Sequence, residues 1–190
     1  MKYLGAKNKI SKKYNYPIYG KVIKKNNSLG YVRKKRYVNF SQYYFQLFEK
    51  QKLKYIYGIS ERQLKNNLKK KQFIFNFELR LDNLIYRLKF VNSRLHARQL
   101  INHNHVLVNK KIVNIPSYII KINDKITFVK KILNNIYILN NINKIKKNKF
   151  IFSWLFYNKN YTSGGIKFLP KIEDIPEKIN LKLVLEYYSK

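Results

Sequence analysis

The sequence predicts an α+β fold, in which a mainly helical N-terminal part is followed by two to three helices packed on a small antiparallel sheet. Three observations predict it. Apolar residues recur at helical spacing in segments 42–54, 81–88 and 94–101. Between 106 and 129 the period changes to short β-branched runs, and turn residues separate each run from the next. A length of 190 residues, 45% of them hydrophobic, allows one domain or two small ones with a real core.

Residues 1–40 are basic and rich in Tyr and Asn, and Gly20, Gly30 and Asn26-Asn27 suggest loop. From Gln42 to Lys54, Phe45, Leu47, Phe48 and Leu53 fall on a helical stripe that breaks at Gly58. Ser60-Glu61-Arg62-Gln63 reads as a capping box, opening a helix to about Lys71. Leu81, Leu84, Ile85 and Leu88 predict an amphipathic helix over Asp82–Phe90. Ser93 is a natural N-cap for a further helix, Arg94–Asn102, that buries Ala97, Leu100 and Ile101.

Strands are expected at Val106–Val108, Ile112–Ile115 and Ile126–Val129, divided by Asn109-Lys110-Lys111, Pro116-Ser117 and Asn123-Asp124. The irregularly spaced Ile residues of 131–150 suit a strand or a helix. Gly164-Gly165 reads as a turn, Pro170–Pro176 as an extended link and Leu181–Tyr188 as a final apolar segment.

Charge narrows the function. A formal charge of +32 arises from 41 Lys and Arg against nine acids, the first of them Glu49. Such a body repels itself and is best kept folded beside a polyanion. Nucleic acid is the obvious one, since each phosphate met by a cation releases condensed counterions. An anionic membrane surface is the alternative, but no long amphipathic helix of that kind is visible. No uncharged apolar run approaches the roughly 20 residues of a membrane span. Cysteine is absent, which excludes disulfides, thiol nucleophiles and Cys-rich zinc sites. Lys outnumbers Arg 34 to 7 and Ala occurs only twice, a bias toward A/T-rich codons. Lys then stands where RNA chemistry would often use Arg, keeping charge but losing the planar fork.

The main candidate for chemistry is a basic helix face. Arg94, Arg98 and Asn102, followed by His103 and His105, form a row of donors leading to the turn with Lys110 and Lys111. Two guanidinium groups one turn apart, roughly 5.4 Å, suit phosphates across an A-form groove, read by shape. The same spacing also suits an ordinary solvated helix face. His103 and His105 invite a metal reading, yet no acid or Cys lies near them in sequence. Arg80-Leu81-Asp82 is similar to the catalytic Asp motif of some pseudouridine synthases, but the large catalytic domain that motif needs has no room here. Asp82 reads better as a helix-starting acid. No Gly-rich phosphate loop and no Ser/His/Asp arrangement is present, so no catalytic residue, cofactor, metal or small-molecule substrate is expected.

Several motifs together resemble one family. They are Arg80-Leu81-Asp82-Asn83-Leu84-Ile85-Tyr86-Arg87-Leu88, Ser93-Arg94, Ala97-Arg98-Gln99-Leu100, His103-Asn104-His105, Val108-Asn109 and Ile115-Pro116-Ser117-Tyr118. They resemble the central RNA-binding domain of the bacterial-type S-four family of small-subunit ribosomal proteins, a module shared with several RNA-modifying enzymes. The flanks point to the ribosomal family itself: Tyr3-Leu4-Gly5, Glu49-Lys50-Gln51-Lys52, Tyr57-Gly58, Trp154-Leu155 and Tyr188-Ser189-Lys190.

The resemblance implies a helical domain carrying the central module as an insertion, here residues 1–79, 80–168 and 169–190. It implies binding to a 5′-domain junction of small-subunit rRNA early in assembly, contact with ribosomal protein S-five, and a place beside the mRNA entry channel where accuracy is influenced. rRNA contacts are expected from Arg94, Arg98, Gln99, Asn102, His103, His105, Lys110 and Lys111, with Lys50, Lys52, Arg62 and Lys7. Arg33, Lys34, Lys35 and Arg36 occupy the entry-channel region. An RNA-modifying enzyme or a ribosome-associated stress factor using the same module are the alternatives.

Departures from the family matter too. Some relatives hold zinc through N-terminal Cys, which this chain cannot do. The Gly-Gln-His-Gly loop is not recognisable, and Lys69–Phe77 is shorter than usual. The family's His-Gly-His is His103-Asn104-His105 here, and its Asn-Gly turn is Asn109-Lys110. Asn tolerates the left-handed conformation and Lys does so poorly, so another turn type is expected. The family's N-terminal motif begins directly after Met1, which suggests no transit peptide. With the codon bias, this points to a protein made inside an organelle, a reduced plastid first, with a mitochondrion or an AT-rich bacterium as alternatives.

Overall fold

The computed structural model describes residues 7–14, 16–19, 40–68, 73–148, 152–177 and 179–189. Two compact units emerge, one from Met1–Leu68 with Lys178–Lys190 and one from Lys69–Glu177. The α+β class expected from the sequence holds.

The first unit contains α1 (Lys7–Tyr14), α2 (Gln42–Tyr57), α3 (Glu61–Leu68) and α9 (Leu181–Tyr188). Ser41 Oγ caps α2 by accepting from the Tyr44 N–H, and Gly58, at φ 60°, ends it in the left-handed conformation. The capping box opens α3 as expected: Ser60 N–H donates to Gln63 Oε1 at 3.2 Å, and Gln63 N–H to Ser60 Oγ at 3.3 Å.

The buried face of α2 differs from the expected stripe. Gln46, Lys50, Leu53, Ile56 and Tyr57 are inside, Leu47 and Phe48 are half-buried, and Phe45 is exposed. The reason is the return of α9, which packs on α2 and brings polar partners with it. Gln46 Nε2 donates to Glu186 at 3.2 Å, and the Lys50 ammonium lies 4.0 Å above the Tyr187 ring. A stripe read within α2 alone cannot register a partner 140 residues away, as Glu186 is from Gln46.

The second unit begins with α4 (Phe73–Glu78), α5 (Leu81–Arg87) and α6 (Arg94–Asn102). Strands β1 (Val106–Val108), β2 (Lys111–Ile112) and β3 (Lys125–Phe128) follow, then α7 (Lys130–Leu133), α8 (Ile136–Asn148), β4 (Leu155–Tyr157) and β5 (Ser163–Ile166). The sheet runs β2-β1-β3-β5-β4, every neighbour antiparallel. Its core joins Leu81, Leu84, Ile85 and Leu88 to Ala97, Ile101, Val106, Ile126, Ile142, Trp154 and Ile166.

Helix α6 spans the expected residues, but α5 stops at Arg87 because Lys89 turns left-handed at φ 57°. The second strand shrinks to Lys111–Ile112, and 131–150 is helical in its described part. A single 3₁₀ turn, Ile172–Asp174, interrupts the expected link.

Gly164-Gly165 is not a turn. Both glycines lie in β5, paired with β3 and β4. A Cβ on Gly164 would sit 2.7 Å from Phe156 O and 2.8 Å from Leu88 Cδ2, and one on Gly165 would sit 2.1 Å from Asp124 O. Glycine is used here for close approach, not for its conformational freedom.

Candidate nucleic-acid interface

Helix α6 begins with Ser93 Oγ accepting from the His96 N–H at 3.3 Å. It ends in a Schellman arrangement: Asn104, at φ 60°, donates to Ile101 O, and His105 N–H donates to Leu100 O, both at 3.0 Å. Asn104 thus fills the left-handed position of the cap, and the reversal launches β1. Gln99, Asn102 and His103 are exposed and His105 is half-buried, with the two imidazoles stacked at 6.1 Å.

Beyond β1, a strand of three residues and so roughly 10 Å, the hairpin tip presents Lys110 and Lys111, both exposed. Its turn corrects the expectation of another turn type. Asn109 and Lys110 both take positive φ, 50° and 68°, as a two-residue primed turn requires. Asn109 anchors it: its amide donates to Asp124 at 2.8 Å, and its Oδ1 accepts from Lys125 N–H at 2.9 Å.

The row of donors on α6 is divided. Arg94 is buried, its Nε donating to Asn83 at 2.7 Å and its NH2 to Glu177 at 2.6 Å, with the guanidinium 4.4 Å from the Tyr86 ring centroid. Arg87 forks onto Glu78 at 2.9 and 2.7 Å and also reaches Glu177. Asn83 closes the set by donating to Glu78 Oε2 at 2.8 Å. Arg98 turns to Asp82 at 2.7 Å, and Arg80 grips the same carboxylate at 3.0 and 2.8 Å. Asp82 is therefore a buried structural acid in the first turn of α5.

Burial pushes the Glu177 carboxyl up, but Arg94 and Arg87 outweigh it and hold the group down at about 2. Burial opposes the Arg87 charge, and Glu78 and Glu177 more than restore it, raising the group above the ordinary arginine range.

These pairs shape the outer potential. Glu78, Asp82 and Glu177 are neutralised inside, Asp124 is tied to the hairpin turn, and Asp174 accepts from the Lys171 N–H at 2.8 Å. Lys110, Lys111, Lys121, Lys125, Lys130 and Lys131 are left exposed, with Lys130 and Lys131 beyond the opposite end of β3 from Lys125. The last four were not singled out from sequence. The alternation Lys125-Ile126-Thr127-Phe128 was the available signal, since it puts Lys125 opposite the buried positions.

In the first unit Lys50 is buried, 3.1 Å from Glu61. Burial lowers its pKa, and hydrogen bonds to Tyr187 and Glu61 reverse that and raise it. Lys52 is largely buried and pairs with Glu49 at 3.3 Å, while Arg62 is exposed on α3. Lys7 opens α1, but its side chain lies outside the described residues, as do Arg33, Lys34, Lys35 and Arg36 entirely. Among the described residues no three His, Cys, Asp or Glu are grouped to hold a metal, and no helix is long and apolar enough to cross a membrane.

Comparison with known proteins adds two family models. The ribosomal protein S4/S9 N-terminal domain matches residues 2–81, and the S4 domain matches residues 79–126, from the end of α4 into β3. Small ribosomal subunit protein uS4 of Amoebophilus asiaticus is 41% identical over all of this chain and 99% of its own length. The proteins of the same name from Karelsulcia muelleri and Buchnera aphidicola subsp. Cinara cedri are 40% and 39% identical, with the same coverage.

Proposed function

Because this chain belongs over its whole length to the uS4 family of small-subunit ribosomal proteins, we propose that it is a structural constituent of the small ribosomal subunit and binds small-subunit rRNA directly. The end-to-end likeness to ribosomal proteins carries the reading, and it leaves the modifying-enzyme and stress-factor alternatives without support. Charge agrees with it. The second unit buries much of its negative charge against arginines and keeps an outer rim of lysines, the footprint of a phosphate binder.

In this reading the exposed Gln99, Asn102, His103, Lys110 and Lys111 meet rRNA together with half-buried His105, and Arg62 does so from the first unit. Arg98 and Lys52 contribute at the rim. Arg94 and Lys50 position the elements that make contact. The target is a helical junction of the 5′ domain, bound early in assembly, and the central unit acts as a module inserted in the helical one. Lys7 adds a further rRNA contact, the basic run Arg33, Lys34, Lys35 and Arg36 serves the mRNA entry channel, and ribosomal protein S-five is the neighbour. The codon bias supports synthesis from an AT-rich genome, in a plastid or in a bacterium; the relatives named above are bacterial.

Filter binding tests this. The full chain is expected to prefer a 5′-domain rRNA fragment to unrelated duplex at moderate salt. Lys110→Ala with Lys111→Ala is expected to flatten the log affinity against log salt slope by about 2, one phosphate contact each. Equal affinity for unrelated duplex would defeat the function, and an unchanged slope would defeat the site.

A further inference from the structure

The first turns of α2 are built inside out. Gln46 and Lys50 are buried, whereas Phe40, Tyr43, Tyr44 and Phe45 keep 50%, 52%, 37% and 48% of their surface in contact with solvent. Soluble surfaces rarely gather large apolar side chains in this way without a partner. The rings are also arranged. Phe40 and Tyr44 lie nearly parallel, 4.2 Å apart with planes 16° from each other, and Phe45 meets both edge-on. Tyr44 continues to Phe48 at 6.1 Å and 30°, and Phe48 reaches the buried Tyr14 at 4.8 Å. The ladder is therefore anchored at its inner end and open at its outer end.

What would cover it is indicated by charge. The first turn of α2 carries no acid, and α1, which supplies Tyr14, exposes Lys9, Lys12 and Lys13, with the Lys13 ammonium 5.5 Å from the Tyr14 ring centroid at the inner end of the ladder. Flat rings in a positive field suit a polyanion that also offers flat faces. Unpaired RNA does both, stacking its bases on aromatic rings while cations hold its backbone. Duplex RNA hides its base faces and cannot use the ladder.

We propose that Phe40, Tyr44 and Phe45, braced by Phe48 and Tyr14, form a stacking platform for the bases of unpaired RNA, distinct from the lysine rim of the second unit. This rests on the reading of the chain as an RNA binder and adds the kind of RNA that its first unit takes.

The test uses the full chain and a short single-stranded RNA carrying a fluorescent adenine analogue whose emission falls on stacking. Phe40→Leu with Tyr44→Leu keeps the sites apolar and removes two flat faces. The double variant is expected to bind this RNA about tenfold more weakly, the order of one lost base stack, and to lose the quenching. Its salt slope and its affinity for duplex rRNA should stay at wild-type values. Affinity within about twofold of wild type with quenching intact, or equal loss toward duplex, would overturn the platform. A wild-type chain that binds duplex rRNA but not the single strand also overturns it, leaving the function standing. Failure to bind either RNA overturns both.

Discussion

Among the described residues, Lys89, Asn104, Asn109, Lys110, Asn123 and Tyr161 hold φ between 50° and 69° without being glycine. Asn accepts this region at little cost, but Lys and Tyr pay roughly 1 kcal/mol each. Lys110→Gly is therefore expected to raise unfolding stability by about 1 kcal/mol in a urea titration, while weakening rRNA binding through the lost charge. A gain in both would remove Lys110 from the interface. The sequence reading that Asn tolerates the left-handed conformation agrees with Asn104 at φ 60°. It misjudged Lys110, since propensity favours another turn while hairpin twist and the Asn109–Asp124–Lys125 bonds impose the primed one. Glu177 gives a pH prediction. Its carboxyl is depressed from 4.5 to about 2, so its contribution is complete above 4.5 and is lost as pH falls toward 2. Glu177→Gln should cost about 3 kcal/mol near neutral pH, a deficit that shrinks across that acid window. A deficit constant with pH would show that the Gln variant fails for steric reasons.

At the scale of elements, the Glu78–Arg87–Glu177–Arg94–Asn83 network ties α4, α5 and α6 to the last residue of the second unit. Removing one partner strands a buried charge, so Arg94→Ala should cost about 3–5 kcal/mol. Arg94→Lys should recover little of it, because a point charge cannot bond Asn83 and Glu177 as a fork does. Full recovery by Lys would mean that charge alone matters there. Four of the seven arginines, at positions 80, 87, 94 and 98, serve such internal pairs, in a chain that otherwise uses Lys. The caps and boundaries of α6 were legible because capping is local chemistry. The inward turn of Arg94 was not, since its partner lies 83 residues away and i,i+4 spacing reads equally as an exposed face. Gly164-Gly165 misled for a related reason: the pair reads as a turn until Leu88, Asp124 and Phe156 close around it. Gly164→Ala should cost about 3 kcal/mol through overpacking, measurable as a fall in the urea midpoint.

For the whole molecule, the charge of +32 sets the behaviour. Burying acids against arginines satisfies the interior of the second unit and leaves its outer lysines to repel one another, a repulsion that added salt or a bound polyanion relieves. The thermal midpoint of the free chain should therefore rise with moderate salt. A fall would place its stabilising ion pairs at the surface, where salt screens them. The polyanion partner, the α+β class and the family were legible from composition and ordered motifs, while the particular packing of α9 on α2 is a long-range contact that no local pattern records. The central claim, that the chain is a resident protein of the small ribosomal subunit, is tested most directly by sucrose-gradient sedimentation of the tagged chain expressed in its own cells. Co-migration with small subunits that survives a high-salt wash is the predicted result. A chain that stays at the top of the gradient while small subunits assemble without it would contradict the account.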